Sequence, residues 1–248
     1  MLESEADGSA MHVTHLYHSG FLIELGGSKL LFDWFPETQE RANADLALLD
    51  GAEKLYVFSS HAHHDHYTPS IWNLQRYRGL ADTEITYIVD DEVAALAPAG
   101  NGLDIVACEP EMVYEIDDDM EVTTLESTDE GIAFCVDALG KTVYHAGDLS
   151  IWWWPERDES LNVLSEQHFL YFLQILEGRH IDLAMLPITP RAGAAGDRGI
   201  AAFMERVGAD VVVPMHYRDD RAGAMALAAS ERLAPWREKI RFDEEFEL

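Results

Sequence analysis

The stretch FSSHAHHDHYTP, Phe58 to Pro69, packs four histidines and one aspartate into the six positions from His61 to His66. Imidazole and carboxylate are the side chains that hold zinc, iron and manganese. His61 and His63, set in alternation, can share one ion, and Asp65 and His66 can then begin the shell of a second. Six consecutive residues cannot complete both shells, so further ligands must come from elsewhere in the chain. The competing reading is a solvated histidine tract. The flanks argue against it, because KLYVFSS is an apolar strand that runs into the cluster. Thr68-Pro69 then reads as an N-cap followed by proline at the first helical position, opening a helix through about Arg78. A loop fixed by a strand on one side and a helix on the other can aim several side chains at one point.

The elements that must carry this loop are readable on either side of it. MHVTHLY, FLIEL and KLLFDW read as strands, with Gly26-Gly27 turning a hairpin. EITYIVD is a strand and DEVAALA a short helix. DIVACEP, MEVTTLES, GIAFCVDA and KTVYHAG read as four more strands, with turns at Asp117–Asp119 and Leu139-Gly140. Asp158 to Leu176 has apolar residues at helical spacing and should form the longest helix. IDLAMLPI reads as a buried strand, 196–207 as a helix, ADVVVPM as a strand, and 222–233 as a helix. The likeliest long loops are 90–102 and 152–160. Early hairpins predict antiparallel pairing and later β-α-β units predict parallel pairing. Together they give an α/β protein of two mixed sheets with helices outside.

Composition narrows the function. The chain has 248 residues, 48% hydrophobic and 25% charged, which suits one domain. Its net charge of −29 opposes nucleic acid and anionic membranes as partners. No apolar run approaches a membrane span, and the acidic N-terminus lacks a signal-peptide core, so a cytoplasmic location is expected. Two cysteines, Cys108 and Cys135, lie in apolar strand contexts and imply no disulfide framework.

The pattern H-x-H-x-D-H resembles the signature of the metallo-β-lactamase superfamily. Asp33 in LLFDW, Asp148 in YHAGD and His216 in VVVPMH match further motifs of that family in the same order. THLYHSGFLIEL, VYHAGD and VVVPMHY look most like the branch containing ascorbate-6-phosphate lactonase. The resemblance implies a four-layer αββα sandwich in a single domain spanning 1–248. It also implies one or two divalent ions, with zinc as the first expectation and manganese or iron as alternatives. His61, His63 and Asp148 would hold one ion. Asp65, His66, Asp148 and His216 would hold the other, with Asp65 and Asp148 as the catalytic carboxylates.

One position departs from the family pattern. The histidine usually found before GIAFCVD is missing, and the stretch reads TLESTDEG. Asp129 or Glu126 would replace it, or a water would, or only one ion binds. By the same resemblance, Asp33 would orient the histidine loop through hydrogen bonds, and His145 would support Asp148 or face a neighbouring strand. His18 would take a structural place near the loop. Trp152, Arg191, Tyr217 and Arg218 are candidates for substrate contact. The implied activity is hydrolysis of a small-molecule ester, lactone or phosphodiester by a metal-activated hydroxide. A metal-binding sensor or structural protein, and an RNA-processing nuclease, are the alternatives. The chain is also a candidate homo-oligomer.

Overall fold

A computed structural model describes residues 10–100 and 102–248. The acidic residues 1–9, which bear on the signal-peptide reading, lie outside the described residues. The chain divides into two compact units, 1–107 with 243–248, and 108–242.

The first unit holds β1 (Met11–Tyr17), β2 (Gly20–Leu25), β3 (Ser28–Phe32), β4 (Lys54–Ser59) and β5 (Glu84–Asp90). It also holds most of β6 (Asp104–Cys108), together with β13 (Glu245–Glu247). Their sheet order is β13-β1-β2-β3-β4-β5-β6. The β2–β3 hairpin pairs Phe21 with Phe32 and Glu24 with Lys29, and Gly26 turns it with φ 61°. β3, β4 and β5 run parallel. The interior strand β4 is accordingly buried from Leu55 to Ser59, a near-continuous apolar run rather than an alternation. Parallel pairing brings the C-terminal ends of β3, β4 and β5 to one edge, and the register Phe32↔Phe58 places Asp33 beside the start of the histidine loop.

Helix α1 (Gln39–Leu48) is capped by Thr38, and α2 (Asp91–Ala95) by Asp90. The helix expected after Thr68 to about Arg78 is a 3-10 helix, Pro69–Arg76. It closes on an i→i+3 bond from Tyr77 N–H to the Leu74 carbonyl, and Tyr77 is extended. This short helix is nailed down by aromatics. The Trp72 indole donates to the Tyr67 hydroxyl at 2.8 Å, and the Tyr87 hydroxyl donates to the Ile71 carbonyl at 2.9 Å.

Asp90 supplies a testable consequence. Burial, reinforced by Asp91 and Glu92, pushes its carboxyl up to about 6. A carboxyl raised in the fold adds stability below its unfolded pKa of about 3.9 and loses it as pH climbs through 6. Asp90→Asn keeps an acceptor for the Glu92 N–H, now 3.1 Å from Asp90 Oδ1. At pH 7.5 it should raise the melting midpoint by about 2–4 °C, for an effect on the order of 1 kcal/mol after solvent screening. The gain should fade below pH 6 and vanish near pH 4. A gain independent of pH would show that the carboxyl is not the cause.

The second unit holds β7 (Val113–Asp117), β8 (Met120–Glu126), β9 (Ile132–Ala138), β10 (Lys141–His145), β11 (Leu183–Pro187) and β12 (Val211–Met215), ordered β12-β11-β10-β9-β8-β7. β7 to β10 pair antiparallel, and β10 to β12 parallel. Pro214 is tolerated because β12 is the edge strand of its sheet. The parallel trio again sends its C-terminal ends to one edge, so Asp148, three residues after β10, and His216, one after β12, emerge on the same side. Helices α3 (Glu159–Phe172), α4 (Arg198–Arg206) and α5 (Arg221–Ala228) complete the unit. α5 stops five residues short of the expected Leu233, closing at Ala229. Cys108 and Cys135 are both buried, and burial pushes the Cys135 thiol up to about 12. No described helix is long and apolar enough to cross a membrane.

Candidate metal centre

The histidine loop is organised by one buried carboxylate. Asp33, fully buried and in a left-handed conformation at φ 40°, accepts three hydrogen bonds. Oδ1 takes the Ser60 backbone N–H at 2.7 Å. Oδ2 takes the Ser60 hydroxyl and the His66 Nδ1–H, each at 2.7 Å. Because Ser60 donates its proton to Asp33, its oxygen is the acceptor for His61 Nδ1, 3.0 Å away. Both imidazoles therefore carry the proton on Nδ1 and the lone pair on Nε2. A histidine held at one nitrogen by a carboxylate or hydroxyl, with its other nitrogen basic, is the arrangement that supports metal ligation. The expectation for Asp33 rested on family likeness alone; the part played by Ser60 had no signal in the sequence.

Inside the loop, the His66 and Tyr67 N–H groups both close on the His63 carbonyl, at 3.0 and 2.9 Å. That turn gathers His61 and His66 with ring centres 4.2 Å apart, and His61 and His63 at 4.8 Å. His61 and His66 are buried, Asp65 half-buried, and His63 exposed. His64 points outward, 79% exposed. His18, assigned a structural place from the sequence, lies 3.4 Å through Nε2 from Asp65 Oδ2.

The second unit carries the other two expected ligands. His216 Nε2 lies 3.3 Å from Asp148 Oδ1. This is longer than a good N–H···O bond, but two donors 2.0–2.1 Å from one tetrahedral ion stand about 3.3 Å apart. The donor chemistry and spacing in both units thus fit a divalent cation. His216 sits at φ 67° and Arg218 at φ 49°.

Trp152 braces this pair. Its indole donates to the Asp148 carbonyl at 2.8 Å, and its ring lies 5.2 Å from His216. Trp154 stacks on it at 6.3 Å, and Arg191 lies over Trp154 at 5.9 Å. His145 is fully buried and accepts the Gly147 N–H at 3.1 Å, holding the turn that leads to Asp148. Tyr217 packs against Phe242 at 6.0 Å, and Arg218 is exposed.

The stretch short of a histidine is folded as a turn. The Asp129 N–H bonds Ser127 Oγ at 3.2 Å, and Thr128 clasps Ser150, donating to its carbonyl at 2.6 Å and accepting its N–H at 3.0 Å. Asp129 is exposed. Glu126 is exposed too, and lines a 220 Å³ cavity with Glu111, Tyr171 and Phe172.

Close packing guards the Asp148 loop. A Cβ on Gly199, in the first turn of α4, would lie 2.3 Å from Ser150 Oγ and 3.3 Å from the Ile151 nitrogen. Gly199→Ala should lower stability by about 1–3 kcal/mol in urea unfolding. An unchanged midpoint would show that Ser150 turns aside without cost.

Two mixed sheets with flanking helices, carrying a His-x-His-x-Asp-His loop at a strand end, define the α/β metallo-β-lactamase fold. Residues 12–216 match the model of the beta-lactamase superfamily domain, and the chain belongs to that family. A UPF0173 metal-dependent hydrolase from Shouchella clausii is 27% identical over 84% of this chain and 86% of its own. Igni18, a metallo hydrolase from Ignicoccus hospitalis, shares the fold with a TM-score of 0.66 at 18% identity, over 97% of this chain and 99% of that one. YhfI from Bacillus subtilis, a metallo-beta-lactamase fold protein, gives 0.62 at 16% identity, over 97% and 99%.

Proposed function

We propose that this chain is a metal-dependent hydrolase of a small molecule, with His61, His63, Asp65, His66, Asp148 and His216 as its metal ligands. The observation that carries the reading is the Asp33–Ser60 network, which sets Nε2 of both His61 and His66 as the basic nitrogen. Membership of the family, and similarity to relatives named as metal-dependent hydrolases, support it.

When bound, divalent ions activate water near neutral pH and stabilise developing negative charge. The chain's own groups do the rest. Asp33 and Ser60 hold the imidazoles in one tautomer. Asp65 and Asp148 supply anionic oxygens among neutral imidazoles. Trp152 excludes water from the flank of His216. Arg191 and Arg218 would bind an anionic substrate group, with Tyr217 as a hydroxyl donor. The likeness to the lactonase branch favours a lactone, an ester or a phosphodiester as substrate. A net charge of −29 disfavours a polynucleotide.

A second reading is favoured by one fact: no histidine occurs between His66 and His145. A site one imidazole short could serve a metal-binding protein with little turnover. Metal analysis of protein purified without added metal, followed by titration with zinc and manganese, tests both readings. The expected result is one tight and one weaker equivalent, with hydrolysis of a generic phosphodiester or lactone. Saturation at a single equivalent would sink the two-ion version. Tight metal without turnover would select the binding protein.

A further inference from the structure

We propose that His18 is itself a metal ligand, joining Asp65 and His66 on one ion; the inference rests on the metal-binding reading above. His18 lies in the turn between β1 and β2, within THLYHSGFLIEL, a stretch to which the family resemblance gives no metal ligand. Three features of its placement converge on a metal.

The first is location. The register Phe21↔Phe32 brings the β1–β2 turn to the edge where Asp33 emerges. The approach is tight. A Cβ on Gly20 would lie 3.0 Å from the Tyr17 carbonyl oxygen and 3.2 Å from that of Asp33.

The second is fixation. His18 is 2% exposed and holds a left-handed backbone at φ 55°. Its carbonyl is bonded by His15 Nε2 at 3.1 Å. That conformation is uncommon outside glycine, and in a buried turn it fixes the direction in which the ring sets out.

The third is distance. Nε2 of His18 is 3.4 Å from Asp65 Oδ2, and its ring stands edge-on to His66 at 5.6 Å. One ligand atom from each of His18, Asp65 and His66 lies within 4.8 Å of the others. The 3.4 Å separation is long for a hydrogen bond but close to the roughly 3.3 Å edge of a tetrahedral shell with 2.0–2.1 Å bonds.

A ligand here makes the centre asymmetric. The ion on Asp65 and His66 gains an imidazole, while the ion on His61 and His63 keeps the deficit at Ser127–Asp129. Tight and weak positions follow from that inequality.

The test uses the full chain loaded with Co²⁺ and read by absorption and by chelator competition. His18→Asn suits the left-handed backbone and removes the imidazole. Metal-free circular dichroism confirms that the variant folds. His18→Asn should weaken the tight equivalent more than 100-fold and change the visible cobalt bands. Native affinity and spectrum in His18→Asn would overturn the inference. So would weakened binding in His18→Asn with cobalt bands unchanged at saturation, since that pattern means His18 only positions Asp65. Failure of the wild type to bind Co²⁺ would sink the metal-binding reading as well.

Discussion

Asp33→Ala should be the most damaging single substitution in the first unit, although Asp33 is not expected to touch the metal. Three donors lose their acceptor at once: the Ser60 N–H, the Ser60 hydroxyl and the His66 Nδ1–H. All three are buried. Each stranded donor costs about 1–3 kcal/mol, and breaking a buried charged network costs on the order of 3–5 kcal/mol in all. Against a total stability of about 5–15 kcal/mol, that shift is large. Urea unfolding of metal-free protein should show it directly. Metal affinity should fall about 10–100-fold in whatever fraction stays folded, because His66 loses the bond that fixes its tautomer. Asp33→Asn should be intermediate, since its amide offers one oxygen but turns an NH₂ towards donors. A loss below about 1 kcal/mol for Asp33→Ala would mean the network is not the organiser of the loop.

Asp148→Asn should have the largest effect on turnover. The carboxylate becomes neutral while the volume is unchanged, and the main-chain bond from Trp152 to the Asp148 carbonyl survives. Stability of the metal-free protein should therefore move little. If Asp148 contributes to both ions, kcat/KM on a generic phosphodiester or lactone should fall by about 10³-fold. The weaker metal equivalent should be lost first. The pairing of outcomes is diagnostic: unchanged unfolding with lost metal and lost turnover supports a ligand role. Retained turnover would remove Asp148 from the centre.

These two residues differ in how visible they are from sequence. Asp148 and His216 stand beside strands whose apolar runs, KTVY and VVVPM, announce themselves, so motif and strand end can be read together. The histidine loop is legible for the same reason, because β4 is a buried parallel strand with no polar interruption until Ser59. Helix α1 escaped because only Ala42 along it is buried, so it writes almost no apolar stripe into the sequence. β7 is an exposed sheet edge and β13 has three residues; neither has a period to detect. The 3-10 helix after Thr68 carries the cap and proline of an α-helix, and only its closing bond tells them apart. His18 was placed near the loop but not on the metal. Its role depends on a left-handed turn and a 3.4 Å approach, and neither is encoded by residue type.

The left-handed non-glycine residues have a further meaning. Seven occur among the described residues, and His18, Asp33, His216 and Arg218 are four of them. Glycine would adopt each of these conformations more readily. Asp33 is kept by the three donors it accepts, but selection for heat resistance alone would push the chain towards glycine or asparagine at His18, His216 and Arg218, the positions proposed to hold metal and substrate. A laboratory lineage evolved for melting temperature, with no demand for metal, should lose its imidazoles there early. A lineage kept under both demands should instead gain its stability far from these four residues, in helix caps and surface charge, and leave the strained backbone in place.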